Sequence, residues 1–305
     1  MIYLSEAQTS KLISHELAYT AVEQAFVAAI GDQAQLFPVV NAAGPQTDAM
    51  FSLKSACTPN LVGWKTGSYW PENQNKGLPC HGTTVFLLNP ATGELEAAIA
   101  ATKVNAYRTA AADAVAVNHL AKEDASVLTI FGSGHQAEYE VLAISKIRQL
   151  TQVYVVGRNP ENAAKFVDKI AAYGINCEEA EAQYACEQAD MIVTATTAQT
   201  PLFKAEWVKA GTHISAMGAD KVGKQELPIA LYQHAKLFCD FKSQSKVIGE
   251  FQHCTHDQIT EIGHIINHRQ LGRQTDAEIT VFDSSGIAIQ DLFVAANILA
   301  LAKTE

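Results

Sequence analysis

The chain has 305 residues, 48% of them hydrophobic, enough for a sizeable core and more comfortable for two domains than for one. Its formal net charge of -10, with only five arginines and no basic cluster, argues against nucleic acid or an anionic membrane as partner and leaves a small molecule as the expected ligand. The opening MIYLSEAQTSK lacks a basic-then-apolar leader, no apolar run approaches bilayer length, and Cys57, Cys80, Cys177, Cys186, Cys239 and Cys254 include no C-x-x-C pair, so a soluble cytoplasmic protein with reduced thiols is expected.

Residues 5–30 read as one helix, with Ser5 and Gln8 in capping-box spacing and Gly31 as a stop signal. The apolar runs AMFSLK, LVGWKT, TTVFLL and ELEAAIAA follow as strands, which makes the first part mixed α+β. From Ser126 the pattern changes. SVLTIF, QVYVVG, DMIVTAT, THISAMG and KLFCDF alternate with helical stretches, the signature of a parallel sheet covered on both faces. The last stretch, ITVFDSSGIAIQDLFVAANILALAK, reads as a strand, a Ser-Gly turn and a long apolar helix. It lies after the point where a nucleotide-type sheet should be complete, and its helix is expected to pack back on the first domain.

Gly132, Gly134 and Ala137 form G-x-G-x-x-A between a strand and a helix, where bare backbone and free helix N–H groups favour a pyrophosphate. A tight turn without a ligand would show the same glycines, so the next strand carries weight. QVYVVG ends at Gly157 without the carboxylate that binds the hydroxyls of an NAD ribose, and Arg158 and Asn159 follow. An arginine there suits a 2′-phosphate, so NADPH is the expected cofactor, with NADH possible. His135 and Gln136 lie inside the loop. Thr196 ends DMIVTAT, with Thr197 and Pro201 after it, a polar turn suited to lining a cofactor channel or a plain strand-to-helix loop, and ADKVGKQEL sets Asp220 and Lys224 beyond another strand end. Asp220 is a candidate acid, base or electrostatic partner, or alternatively an Asx turn or helix cap.

Two cations in the first part have unusual surroundings. Lys65 lies in the apolar LVGWKTGSYW, and a partly buried lysine needs an anion. Arg108 falls on the stripe of Val104, Ala111 and Val115. Opposite a dinucleotide fold they suggest a carboxylate-binding pair; an internal or subunit-interface salt bridge is the alternative.

The segments GWKTGSYW, NKGLP, YRTAAADAVAVNHLA, GSGHQA, DMIVTAT, ISAMGADKVGKQEL and FDSSGIAIQDL stand in the order and spacing of the ornithine cyclodeaminase and mu-crystallin family, which the chain resembles over nearly its whole length. The resemblance implies a homodimer of α/β class, a Rossmann doubly wound parallel sheet (119–286) inserted into a mixed α+β dimerisation and substrate domain (1–118 with 287–305). It implies a small imino or amino acid whose carboxylate meets Lys65 and Arg108 and whose nitrogen faces Asp220. Thr84 then adds a substrate contact. The family's G-x-G-x-Q-A loop matches Gly132, Gly134, Gln136 and Ala137, with His135 between them, and Ser284 matches the serine at the nicotinamide end. Three departures bear on activity: QLFPVVNAAGPQ lacks the upstream arginine of cyclodeaminase-like members, Arg158 replaces a carboxylate, and Ala100 and Asn105 stand where aspartate and threonine are frequent.

The expected activity is reduction of a cyclic ketimine carboxylate, 1-pyrroline-2-carboxylate or 1-piperideine-2-carboxylate, to proline or pipecolate. Ornithine cyclodeaminase or alanine dehydrogenase activity and a mu-crystallin-like ligand-binding role are the alternatives. A metal site built from EFQHCTHDQ with His264 and His268 matches no common zinc spacing, and none is expected.

Overall fold

The computed structural model describes residues 1–304. The chain divides into two compact units, Met1–Arg108 with Ile287–Glu305, and Thr109–Gly286.

In the first unit β1 (Ile2–Leu4) leads into α1 (Glu6–Leu12) and α2 (His15–Ala29). The single predicted helix is thus two. Ser5 and Gln8 form the expected capping box, but Ile13 is extended and Ser14 starts a second helix, its hydroxyl accepting from the Leu17 N–H at 3.1 Å. The strands are β2 (Gln35–Leu36), β3 (Val40–Ala43), β4 (Met50–Thr58), β5 (Leu61–Tyr69), β6 (His81–Leu88) and β7 (Leu95–Ala100). The described residues form a seven-stranded sheet in the order β1-β7-β6-β5-β4-β2, with β3 also on β4. Only β1 runs parallel to its neighbour. Then α3 (Thr102–Leu120) follows. Its YRTAAADAVAVNHLA has no glycine or proline to stop it, so it runs unbroken past the division between the units, which falls after Arg108 rather than at the expected 118.

The second unit alternates β8 (Val127–Phe131), α4 (His135–Ser145), β9 (Gln152–Val156), α5 (Pro160–Ala171), β10 (Cys177–Glu179), α6 (Ala182–Gln188), β11 (Met191–Thr194) and β12 (His213–Ala216). It continues through β13 (Lys236–Cys239), α7 (Lys242–Ile248), β14 (Ile259–Glu261), α8 (Ile262–Ile266) and β15 (Thr280–Asp283). These described strands make an eight-stranded, all-parallel sheet in the order β10-β9-β8-β11-β12-β15-β13-β14. Strands covered on both faces are mostly apolar, and Phe131, Ile192, Ile214, Leu237 and Val281 are buried together. One expectation fails here. Residues 280–283 do not follow a finished sheet: β15 lies inside it, paired to β12 on one side and β13 on the other.

The chain returns to the first unit as α9 (Ala288–Ala302), which packs on α2 and on β4, β5 and β6. An apolar helix of this kind is buried on most of its circumference, and Ile289, Leu292, Val294, Ala295 and Ile298 are fully covered.

Candidate active site

Lys65 and Arg108 meet in the first unit around a residue the sequence did not single out. Asp291, in the first turn of α9, lies 3.1 Å from the Lys65 ammonium and 3.1 Å from Arg108 Nε. Asn105 Oδ1 accepts from both cations, at 2.8 Å from Lys65 Nζ and 2.8 Å from Arg108 Nη2. Gln290 Oε1 accepts from Arg108 Nη1 at 3.2 Å and from the Ile287 N–H at 3.3 Å. Asn105 is half-buried and the rest are buried: Lys65 is 6% exposed, Arg108 5%, Asp291 4% and Gln290 0%. Two cations and one carboxylate leave a surplus positive charge where charge is expensive. Burial and the neighbouring Arg108 bring the Lys65 ammonium down to about 7, against the pull of Asp291. Burial pushes the Asp291 carboxyl up, yet Arg108 and Lys65 hold it below the ordinary carboxylate value. Gln290 Nε2 is a buried donor with no partner, since its amide orientation is fixed by the bonds Oε1 accepts. With Lys65 protonated, the cluster carries a net positive charge beside a free amide donor, a setting that suits an anion with acceptor oxygens.

Thr84 is placed otherwise than expected. It pairs with Thr66 and Ala100, while Lys65 pairs with Val85, so the pleat turns Thr84 to the opposite face from Lys65. Thr83 is the β6 hydroxyl residue on the Lys65 face.

In the second unit the dinucleotide loop has the required backbone. Gly132 has φ 113°, and a Cβ there would stand 2.7 Å from the Ala195 carbonyl oxygen. Gly134 caps α4 without a side chain, and nothing lies within 4 Å of where its Cβ would be. The loop leaves room for a ligand against the first turn of α4, so these residues fit a dinucleotide pyrophosphate. Ala137 is buried where the helix meets the sheet; His135 is exposed, its ring tilted against that of Tyr139 with centroids 4.8 Å apart; Gln136 donates to Glu140 at 2.7 Å. Arg158 is exposed at the end of β9 and makes no ion pair among the described residues, whereas Asn159 caps α5 by accepting from the Asn162 N–H at 3.1 Å. We expect Gly132→Ala to cost about 1–3 kcal/mol of stability from backbone strain and contact, and to weaken dinucleotide binding. Thermal unfolding and a binding titration of NADH and NADPH check it; an alanine variant with unchanged melting and affinity removes the argument.

The ends of β11 and β12 are joined by Glu226, also unforeseen. Its carboxylate accepts from Thr194 Oγ1 at 2.7 Å, the Thr196 N–H at 2.8 Å, Thr196 Oγ1 at 2.7 Å and the Gly218 N–H at 2.9 Å. Burial raises its pKa while these donors pull the other way. A Cβ on Gly218 would collide with this carboxylate. Glu250 in turn accepts from the Glu226 and Leu227 N–H groups at 2.9 and 2.8 Å. The loop between Gly218 and Glu226 carries Asp220, exposed and paired with Lys224 at 2.6 Å. Ser284, 5% exposed after β15, donates its N–H to Ala216 at 3.0 Å, and Asp240 clamps the following turn through Ser285 Oγ at 2.9 Å and the Gly286 N–H at 2.6 Å. Thr196, Asp220 and Ser284 thus follow the carboxyl ends of neighbouring parallel strands, where open α/β sheets bind ligands.

Among the described residues no cluster of histidine, cysteine and carboxylate groups could hold a metal, and no helix is long and apolar enough to cross a membrane.

The model of the ornithine cyclodeaminase/mu-crystallin family matches residues 1–304. This chain belongs to that family. It is 38% identical to the iminosuccinate reductase of Paracoccus denitrificans over 99% of this chain and 97% of that one. The crystal structure of that reductase with NAD+ matches with a TM-score of 0.94 over 100% of this chain and 97% of the other. Alanine dehydrogenase of Archaeoglobus fulgidus is 35% identical over 96% of this chain and 92% of its own length. The Thermococcus litoralis Δ1-pyrroline-2-carboxylate reductase, solved with NADH and L-proline, is 29% identical with a TM-score of 0.91, covering 100% of this chain and 98% of that one. The mixed α/β architecture with its parallel sheet is the one found in these nicotinamide-binding family structures.

Proposed function

We propose that this protein is a nicotinamide-dependent oxidoreductase that reduces the C=N bond of a small α-imino carboxylate, taking one hydride and one proton to give the amino acid. The observation that carries this reading is the buried Lys65–Arg108–Asp291 cluster, one anion short of neutral and with an unpartnered amide donor beside it. Lys65 and Arg108 bind and orient the substrate carboxylate, which fixes the imine face presented for reduction. Asp220 supplies negative charge for the protonated imine nitrogen, directly or through water, and a protonated imine carbon is the better hydride acceptor. Gly132, Gly134 and the first turn of α4 hold the dinucleotide pyrophosphate, with Thr196 and Ser284 toward the nicotinamide; the dinucleotide, when bound, supplies the hydride.

Among the described residues Lys65 and Arg108 are the only buried lysine and arginine, and 35–46 contain no arginine. Both facts favour a compact monocarboxylate, and 1-pyrroline-2-carboxylate or its six-membered homologue fits that description. The likeness to iminosuccinate reductase favours a second reading, an acyclic imine. A substrate panel decides: cyclic imines, pyruvate with ammonia, iminosuccinate and ornithine, each with both cofactors. Preferred turnover of the cyclic imine supports the first reading, preferred iminosuccinate the second, and consumption of ornithine alone defeats both.

Arg158 supports NADPH over NADH, although the related structures hold NAD+ and NADH. Arg158→Ala is expected to raise the Michaelis constant for NADPH about tenfold and leave that for NADH nearly unchanged, the scale of one charge-assisted phosphate contact. Equal effects on the two cofactors would remove the 2′-phosphate contact. A homodimer is part of the same proposal. It is supported by the dimer of the archaeal alanine dehydrogenase and by the exposed apolar side chains of Val40 and Phe51 on β3 and β4, and light scattering tests it.

A further inference from the structure

Asn105 and Gln290 bind the two cations through neutral oxygens, which satisfy donors but leave the charges uncompensated. Asp291 alone brings negative charge to the cluster. The groups facing the Lys65 ammonium are Arg108 from α3, Asp291 from α9 and Lys54, its cross-strand neighbour on β4; Val85 on β6 is apolar. Every charged neighbour but one is positive. Two cations drawn to the same acceptors, Asn105 and Asp291, repel, and the lysine is the one able to relieve the repulsion by giving up its proton.

We propose that Asp291 is the positioning residue of the carboxylate site: its negative charge holds Lys65 and Arg108 side by side, both charged, leaving the pair one charge short so that it takes a single monocarboxylate. The inference rests on the imino-carboxylate reading for the identity of the anion. Charge bookkeeping explains the residue type. With Lys65 charged, the buried trio of Lys65, Arg108 and Asp291 is +1, the half-buried Lys54 lying outside it, and a bound carboxylate brings the trio to zero. Without Asp291, both cations charged would make +2 in a buried site, and the lysine becomes neutral instead. The carboxylate then meets one cation rather than two. Lys65 titrates near 7 even with Asp291 present, so the effect is readable in the neutral range. The sign follows: a lysine must be charged to bind the carboxylate, so binding weakens as pH rises through its pKa, and removing Asp291 moves that decline to lower pH.

The experiment measures kcat and KM for 1-pyrroline-2-carboxylate from about pH 5.5 to 9 in the full-length wild type, Asp291→Asn and Asp291→Glu, alongside thermal unfolding. Titration of the imine itself is common to all three proteins and cancels in the comparison. Asp291→Asn is expected to shift the rise in KM at least about one pH unit toward acid, and so to raise KM about tenfold near pH 7.5, with kcat at saturation changed far less. Asp291→Glu keeps the charge and displaces it, so KM rises at all pH values while the position of the limb is kept. A residue with a purely structural role lowers the melting temperature and leaves the limb in place, and that result overturns the proposal. If Asp291→Asn does not fold, the glutamate variant decides: a limb moved to acid despite the retained charge counts against it. Calorimetric titration with pyrrole-2-carboxylate over the same range separates the two levels of inference. Wild type that binds this anion with the predicted limb but reduces no imine defeats the reductase reading alone; wild type that binds it with no pH limb defeats the role of Asp291.

Discussion

Arg108→Ala is expected to lower kcat/KM for the imine substrate by roughly 10²–10³ and to remove about 3–5 kcal/mol of stability, the usual consequence of deleting one partner from a buried charge cluster. The guanidinium contacts Asp291, Asn105 and Gln290 at once, and its loss leaves three acceptors, two of them buried, short of a donor. Lysine does not replace it, because an ammonium on a flexible stem cannot span three separate acceptors. Arg108→Lys should therefore recover some stability and little activity. Lys65→Met tests the other half. It retains volume, leaves Arg108 and Asp291 as a neutral pair, and should abolish the need for an incoming anion with a smaller loss of stability than Arg108→Ala. Steady-state kinetics with thermal unfolding of all three variants measure this, and wild-type kcat/KM in Arg108→Ala would end the carboxylate assignment.

Asp220→Asn should show the opposite division of effects. The side chain is exposed and its one ion pair is with Lys224, so little stability is at stake: surface pairs contribute about 0–1 kcal/mol. If Asp220 stabilises the protonated imine, the amide should cut the rate of the chemical step by roughly 10² or more, with dinucleotide affinity and melting temperature held. Single-turnover reduction followed by nicotinamide absorbance reads that step. Wild-type turnover would leave Asp220 as a turn residue.

Elements with a strong periodic pattern were legible from the chain alone: the strands around Lys65 and the alternating run from Ser126 fall where expected, and the glycine loop announces itself by spacing. What escaped were features set by contacts distant in sequence. Asp291 lies 226 residues from Lys65, in an almost wholly apolar helix, and an isolated charge in such a helix was the one available clue. Asn105 was noticed as a departure from the family pattern and proves to be the acceptor shared by both cations. Glu226 looked like part of a polar loop, because nothing local reveals that Thr194, Thr196 and Gly218 converge on it. Thr84 lies on the opposite face of β6 from Lys65, a difference that a single-residue step decides where the side-chain period is two. β15 comes last in the chain yet lies inside the sheet, because strand order is not written in chain order. The helix at 5–30 divides at Ile13, where Ser14 competes as a cap.

The place of β15 has a consequence for how the molecule is made. The sheet of the second unit has five strands on one side of β15 and two on the other, and residues 280–283 are what join them. In the first unit the sheet waits for α9, whose apolar face covers β4, β5 and β6. During synthesis from the N-terminus, neither unit can close its core until the last few dozen residues have emerged. Nearly complete chains must carry open strand edges on β12 and β13 and an uncovered apolar sheet face, the surfaces on which association between unfinished chains begins. Folding is therefore set by long-range pairing and completes late, and loss of the final helix should leave a chain that aggregates rather than a smaller folded protein.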